Sequence, residues 1–93
     1  MSKRYKLVLT LQAHRMFEKM PGEVQRICLK AFDRIESNPF IGKALLYNLL
    51  GYYSFRTTSY RIIYKIDEGR IIITVAAIGH RREIYEKLKR ILG

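Results

Sequence analysis

The sequence is poor in the residues that build disulfide frameworks and metal sites. Cys28 is the only cysteine among 93 residues, so no internal disulfide can form and a reducing compartment is expected. The two histidines, His14 and His80, lie far apart, and no Cys/His cluster has the spacing of metal ligands. Neither a disulfide scaffold nor a metal centre is therefore predicted.

Long apolar runs and the common catalytic motifs are also missing. No stretch approaches the roughly 20 apolar residues that cross a bilayer, and the apolar run 7–9 is too short for the core of a signal peptide. The sequence contains no phosphate-binding loop, glycine-rich dinucleotide turn, HExxH pair or GxSxG elbow. We therefore expect one cytoplasmic domain over residues 1–93, with no membrane segment, metal or cofactor.

Acidic residues are scarce, and this scarcity is the strongest signal in the composition. Eight Asp and Glu face eighteen Lys and Arg, which gives a formal net charge of +10. Such a field attracts polyanions, including RNA, DNA, an anionic membrane surface or an acidic protein. The membrane is the weaker alternative, because the best basic helix uses its apolar face for the core. A protein that is merely basic is the remaining alternative.

The hydrophobic pattern predicts an α+β domain with the element order β-α-α-β-β-β-α. Strands are predicted at 5–10, 52–57, 60–66 and 71–78, and helices at 11–20, 23–37 and 82–92. Pro21-Gly22 separates the first two helices into a hairpin, and Asn38-Pro39 ends the second. Segment 40–50 has weak signals and is predicted to be a connection. The expected architecture is an antiparallel-rich sheet with helices packed over it.

Two arginines flank the predicted turn at Thr58-Ser59. A turn on this centre places Arg56 opposite Arg61, with both side chains on one face of the sheet. Directly opposed arginines repel each other, but an anion such as phosphate can bridge them, since guanidinium binds phosphate in a two-pronged way. The alternative is a pair of solvated charges on an open sheet face.

A second basic segment follows the last predicted strand, at Gly79 to Tyr85. A helix that begins here would favour a phosphate at its N-terminus and would keep His80 more often neutral. Arg81 and Arg82 add charge, and Tyr85 lies in the first turns of the helix. The alternatives are that Tyr85 packs in the core and that His80 is a helix cap or a surface residue.

These segments together resemble the RelE/ParE toxin superfamily. The resemblance is carried by Leu50-Gly51, Tyr53-Ser54-Phe55-Arg56, Ser59 to Tyr64, Ile78-Gly79-His80-Arg81 and Ile84-Tyr85, in that order and spacing. It covers nearly the whole chain, because the N-terminal strand and helical hairpin also match the family plan. It implies a compact RNase-like fold and a type II toxin that is neutralised by a small, acidic antitoxin in a hetero-oligomer.

The resemblance also implies roles for individual residues. RelE-like members cleave mRNA in the ribosomal A site without a metal, and the corresponding catalytic residues here are Arg61, Arg81 and Tyr85. Arg56, Arg82 and Lys43 are expected to bind RNA phosphates. Some members carry lysines in the strand before the Tyr-Arg strand, where this chain has Tyr52 and Ser54, so His80 is the proposed substitute base.

Three functional hypotheses follow from this comparison. The first is a ribosome-dependent endoribonuclease that uses 2′-OH attack and leaves a 2′,3′-cyclic phosphate. The second is a ParE-like inhibitor of DNA gyrase, or a degenerate toxin that binds without cutting, and the missing lysines favour it. The third, a plain nucleic-acid-binding module, is disfavoured because the aromatic residues are spaced as core rather than as an exposed stacking surface.

Overall fold

Five strands and three helices make up the structure, a computed structural model that describes residues 4–92. In chain order the elements are β1 (Lys6–Leu9), α1 (Leu11–Glu18), α2 (Gly22–Ser37), β2 (Lys43–Ala44), β3 (Tyr52–Arg56), β4 (Tyr60–Asp67), β5 (Ile72–His80) and α3 (Ile84–Leu92). Two short 3-10 turns, Pro39–Ile41 and Tyr47–Leu49, flank β2. The predicted order of elements is confirmed, with β2 as an addition.

The first two helices begin where the sequence supplies helix-starting residues. The Thr10 hydroxyl accepts a hydrogen bond from the Ala13 backbone N–H (3.1 Å) and so caps α1. Pro21 precedes α2, where its fixed φ and missing N–H cost nothing. Both helices are amphipathic, so the hairpin can bury one side against the sheet.

The sheet has the strand order β1-β5-β4-β3-β2. Its β1–β5 pair is parallel, and the whole segment from α1 to β4 forms the long connection that parallel pairing requires. The other three pairs are antiparallel. Because β5 is an interior strand and is hydrogen-bonded on both sides over its first half, its nearly continuous apolar sequence is buried as predicted.

Each face of the sheet carries its own core cluster. One face packs against α2 and α1 through Cys28, Phe32, Ile35, Ile62, Tyr64 and Val75. The other face packs against α3 through Ile63, Ala76, Ala77, Ile84 and Leu88. The side chains of β4 alternate between the two clusters, which is the period-2 pattern expected of a strand covered on both sides.

Several predicted boundaries are wrong by one or two residues, and three of the differences from the prediction have a clear physical cause. Segment 40–50 contains strand β2, whose two residues are too few for a periodic signal. Strand β5 extends to His80 rather than Ile78, because β4 starts at Tyr60 and pairs with these extra residues. Helix α3 begins at Ile84 rather than Arg82, because Glu83 N–H bonds to His80 O in a turn (2.9 Å).

Within residues 4–92, no helix has the length and apolar character needed to cross a membrane. The longest helix, α2, has sixteen residues and carries charged side chains along its exposed side.

Candidate nucleic-acid interface

Two arginines face each other at the end of the β3–β4 hairpin. Arg56 pairs with Arg61 in the ladder, and the Thr57 N–H bonds to Tyr60 O (2.9 Å) to close the turn over Thr58 and Ser59. The predicted register is therefore correct. Residues directly opposite on antiparallel strands have Cβ atoms about 4.5–5.5 Å apart on the same face. The two guanidinium groups thus share a small region of surface, which favours an anion between them.

The buried hydroxyl of Ser54 holds the Arg61 side chain in place. Arg61 Nη1 donates to Ser54 Oγ at 3.1 Å, and Ser54 is only 3% exposed. Ser54 pairs on its other side with Lys43 of β2. Lys43 and Arg61 therefore reach the same face of the sheet from the two strands that flank β3, with Ser54 between them. This arrangement places Lys43, Arg56 and Arg61 around one hydroxyl group.

Arg81 is tied to the same hairpin through its backbone. Its N–H donates to Ser59 O at 2.8 Å, which continues the β4–β5 ladder one step beyond the Tyr60–His80 pair. The side chain of Arg81 is exposed. The structure thus brings Arg81 beside the turn that carries Arg56 and Arg61, although 20 residues of sequence separate Arg81 from Arg61.

Gly79 allows α3 to pack directly beside Arg61. It is the β5 partner of Arg61, and a Cβ built on it would lie 3.1 Å from Ile84 Cδ1 and 3.6 Å from Lys87 Cδ. A side chain at this position would therefore require Ile84 to shift. The glycine that reads as a turn signal in the sequence thus favours close packing between strand and helix.

Tyr85 is not part of the core. Ile84 and Leu88 form the buried stripe of α3, whereas Tyr85 is 37% exposed on the side of the helix. Glu83, Lys87 and Arg90 line a groove of about 670 Å³ between α3 and α1. Tyr85 projects about 100° away from Ile84 around the helix, on the flank opposite this groove. Its exposed position is compatible with a functional hydroxyl.

His80 points away from the arginine pair. As the neighbour of Gly79 in a strand, its side chain lies on the other face from Arg61. Its ring meets Tyr60 edge-on, with 5.7 Å between centroids, and Nδ1 accepts a hydrogen bond from the Arg82 N–H at 3.2 Å. The lone pair of Nδ1 is therefore already engaged in a hydrogen bond. The structure does not bring His80 together with Arg61.

Arg82 lies in the turn before α3 rather than in the predicted helix 82–92, and it is exposed. The sequence did not predict the contact of Ser54 with Arg61 or the close approach of Gly79 to α3. A register argument could have found Ser54, because it lies two residues before Arg56 and must share its face. The sequence has no signal that distinguishes a glycine needed for close packing from a glycine needed for a turn, so the role of Gly79 could not be predicted.

Comparison with known proteins agrees with this architecture. Residues 7–85 match the family described as the ParE toxin of a type II toxin-antitoxin system, parDE. Two toxins of Mycobacterium tuberculosis are similar in sequence. RelG is 29% identical over 85 residues, covering 89% of this chain and 98% of that protein. RelE is 30% identical over 83 residues, covering 87% and 86%.

Solved structures show the same fold. The toxin–antitoxin complex RelBE2 from M. tuberculosis contains a chain with a TM-score of 0.79 and 29% identity, covering 84% of this chain and 99% of that one. The isolated E. coli RelE toxin gives a TM-score of 0.72 at 20% identity, covering 94% and 98%. At that identity, the second likeness is evidence for the fold alone.

Proposed function

The chain belongs to the RelE/ParE superfamily of type II toxins, and we propose that it is a RelE-like, ribosome-dependent mRNA endoribonuclease. The observation that carries this proposal is the cationic cluster around Ser54, formed by Lys43, Arg56 and Arg61 with Arg81 beside it. Like charges at this separation repel each other unless an anion lies between them. A phosphodiester is the anion that fits, because guanidinium groups match its oxygens in pairs.

The reaction would be an in-line transesterification. The ribose 2′-OH loses its proton to a base, and its oxygen attacks the adjacent phosphorus. Arg61 and Arg81 stabilise the extra negative charge on the phosphoryl oxygens. The bond from phosphorus to the 5′-oxygen breaks, and Tyr85 protonates the leaving oxygen. The products are a 2′,3′-cyclic phosphate and a free 5′-OH. His80 stays the proposed base, and because its side chain lies away from Arg61, this role requires the side chain to reorient when RNA binds.

An antitoxin and a cytoplasmic site of action complete the proposal. The relatives of known structure include toxins bound to RelB antitoxins. The net charge of +10 favours a small acidic protein as the partner of this chain. Its target, the translating ribosome, lies in the cytoplasm.

Cleavage of mRNA on programmed ribosomes tests the activity. Wild-type protein should cut in the A site, and Arg81→Met should lower the rate by about 10²-fold, the scale for losing one transition-state charge contact. Arg70→Met is the matched control, because it removes one exposed charge at the opposite end of the β4–β5 hairpin. Equal rates for the wild type and Arg81→Met would refute the assigned role.

Inhibition of gyrase is the second candidate function. It is favoured by the matched family description, which names ParE, and by Tyr52 and Ser54 at positions where some RelE-like toxins carry lysines. A DNA supercoiling assay with gyrase, run beside the mRNA cleavage assay, distinguishes the two candidate functions. If the protein blocks gyrase and leaves A-site mRNA intact, the endoribonuclease proposal is wrong.

A further inference from the structure

A buried tyrosine hydroxyl anchors the segment that leads into β2. Tyr64 of β4 is fully buried, and its Oη donates to Pro39 O at 2.7 Å while accepting from the Gly42 N–H at 3.1 Å. Burial raises the pKa of Tyr64 to about 12, so the hydroxyl keeps its proton and can act as donor and acceptor together. Both ends of the short 3-10 turn Pro39–Ile41 are thus fixed by one atom.

Tyr64 reaches the segment 39–42 across the neighbouring strand β3, where its ring stacks on a tyrosine. Tyr64 pairs with Tyr53, and their rings stack with centroids 5.6 Å apart. Tyr53 pairs in turn with Ala44 of β2. Gly42 lies close to both Tyr64 and the backbone of β3: a Cβ on Gly42 would be 2.5 Å from Tyr64 Oη and 3.1 Å from Ser54 O. Only glycine allows the chain to pass between the hydroxyl and the backbone of β3.

This anchor determines where Lys43 lies. Gly42 directly precedes Lys43, and β2 has only two residues, so its own ladder bonds define its position weakly. Lys43 is opposite Ser54, whose hydroxyl holds Arg61. We propose that Tyr64 is a positioning residue whose hydroxyl holds Lys43 beside Ser54 and Arg61 to bind an RNA phosphate. This inference rests on the proposed function, because it assigns Lys43 to the RNA site.

Tyr64→Phe is the direct test, because it keeps the ring and removes the hydroxyl. The probe is a short single-stranded RNA with 2′-O-methyl groups, which cannot be cleaved, and its affinity is measured over a range of salt concentrations. Lys43→Met should reduce the slope of log affinity against log salt by about 0.7, the value for one phosphate contact with a single strand. Tyr64→Phe leaves the charge unchanged and should still reduce the slope by a similar amount.

The double variant distinguishes positioning from a general loss of stability. If Tyr64 acts through Lys43, Tyr64→Phe and Lys43→Met together should weaken binding no more than Lys43→Met alone. Tyr53→Phe is the matched control, because among residues 4–92 its hydroxyl has no hydrogen bond and its ring is retained. It should bind RNA with the wild-type slope.

Gly42→Ala provides a second route if Tyr64→Phe fails to fold. It keeps the hydroxyl but displaces the same segment, and it should reproduce the slope of Lys43→Met. A folded Tyr64→Phe protein with wild-type RNA affinity and slope would overturn the inference, and so would additive losses in the double variant. If wild-type protein itself binds this RNA without salt dependence, the assignment of the RNA site falls, and the role of Tyr64 falls with it.

Discussion

Replacing Arg61 with alanine should destabilise the fold as well as impair activity. Arg61 is half-buried, and its guanidinium is the hydrogen-bond donor to Ser54 Oγ. Arg61→Ala leaves that hydroxyl without a partner in a position that is 3% exposed. The cost of an unpaired buried polar group is about 1–3 kcal/mol. If Arg61 were instead a solvated charge on an open sheet face, the alternative left by the sequence, the loss would be within about 0.5 kcal/mol.

Thermal denaturation measures the stability that Arg61→Ala loses relative to the wild type. For a domain of 60–100 residues, each kcal/mol lowers the midpoint by about 4–8 °C, so Arg61→Ala should unfold at least about 4 °C below the wild type. Arg56→Ala is the matched control. Arg56 is exposed and has no side-chain hydrogen bond within residues 4–92, so its removal should not destabilise the fold, and the loss of repulsion with Arg61 should favour it slightly.

The Ser54→Ala/Arg61→Ala double variant tests whether the unpaired Ser54 hydroxyl causes the loss of stability. Removing both partners leaves no unpaired hydroxyl, so the double variant should be more stable than Arg61→Ala alone. The same midpoint for Arg56→Ala and Arg61→Ala would refute the reasoning. So would a double variant whose stability loss is the sum of the two single losses.

Two further predictions concern features outside the cationic cluster. Tyr47 is 90% exposed and has φ of 58°, a left-handed conformation that asparagine tolerates better. Tyr47→Asn should therefore raise the free energy of unfolding by up to about 1 kcal/mol in urea denaturation, and Leu46→Asn, with φ of −119°, should not. Burial raises the pKa of Cys28 to about 11, so the unfolded chain loses the thiol proton first as pH rises. The free energy of unfolding should fall between about pH 9 and 11, by less in Cys28→Ala, and an equal fall in both proteins would contradict this.

The sequence predicted the parts of the fold that repeat over several residues. The alternation along β4 and the apolar run of β5 identified the hairpin, and the turn at Thr58-Ser59 fixed the Arg56–Arg61 pairing. The two residues of β2 gave no such signal, because their position depends on Tyr64 and on pairing with β3. From the sequence, Lys43 could be assigned to the interface only through the family resemblance. Its position beside Ser54 depends on the pairing of β2 with β3, which the sequence pattern does not show.

The length of β5 decides which candidate residues meet. Had the strand ended at Ile78, the segment from Gly79 to Arg81 would have been a free turn, with His80 able to approach the arginines. Pairing of Gly79 with Arg61 and of His80 with Tyr60 extends the strand, and alternation then turns the His80 side chain to the opposite face. The pairing depends on contacts with residues 18 and 20 positions earlier in the chain, which local sequence patterns do not report.

The paired arginines link the stability of this protein to its ligands. Without an anion, the opposed charges of Arg56 and Arg61 raise the free energy of the folded chain. An RNA phosphate or a carboxylate from an acidic antitoxin would lower that energy at the same place. Because a ligand that binds only the folded state stabilises it by mass action, either should raise the unfolding temperature. If both occupy the region around Ser54, RNA and the antitoxin should compete for this protein, and a thermal-shift titration with each ligand would show it.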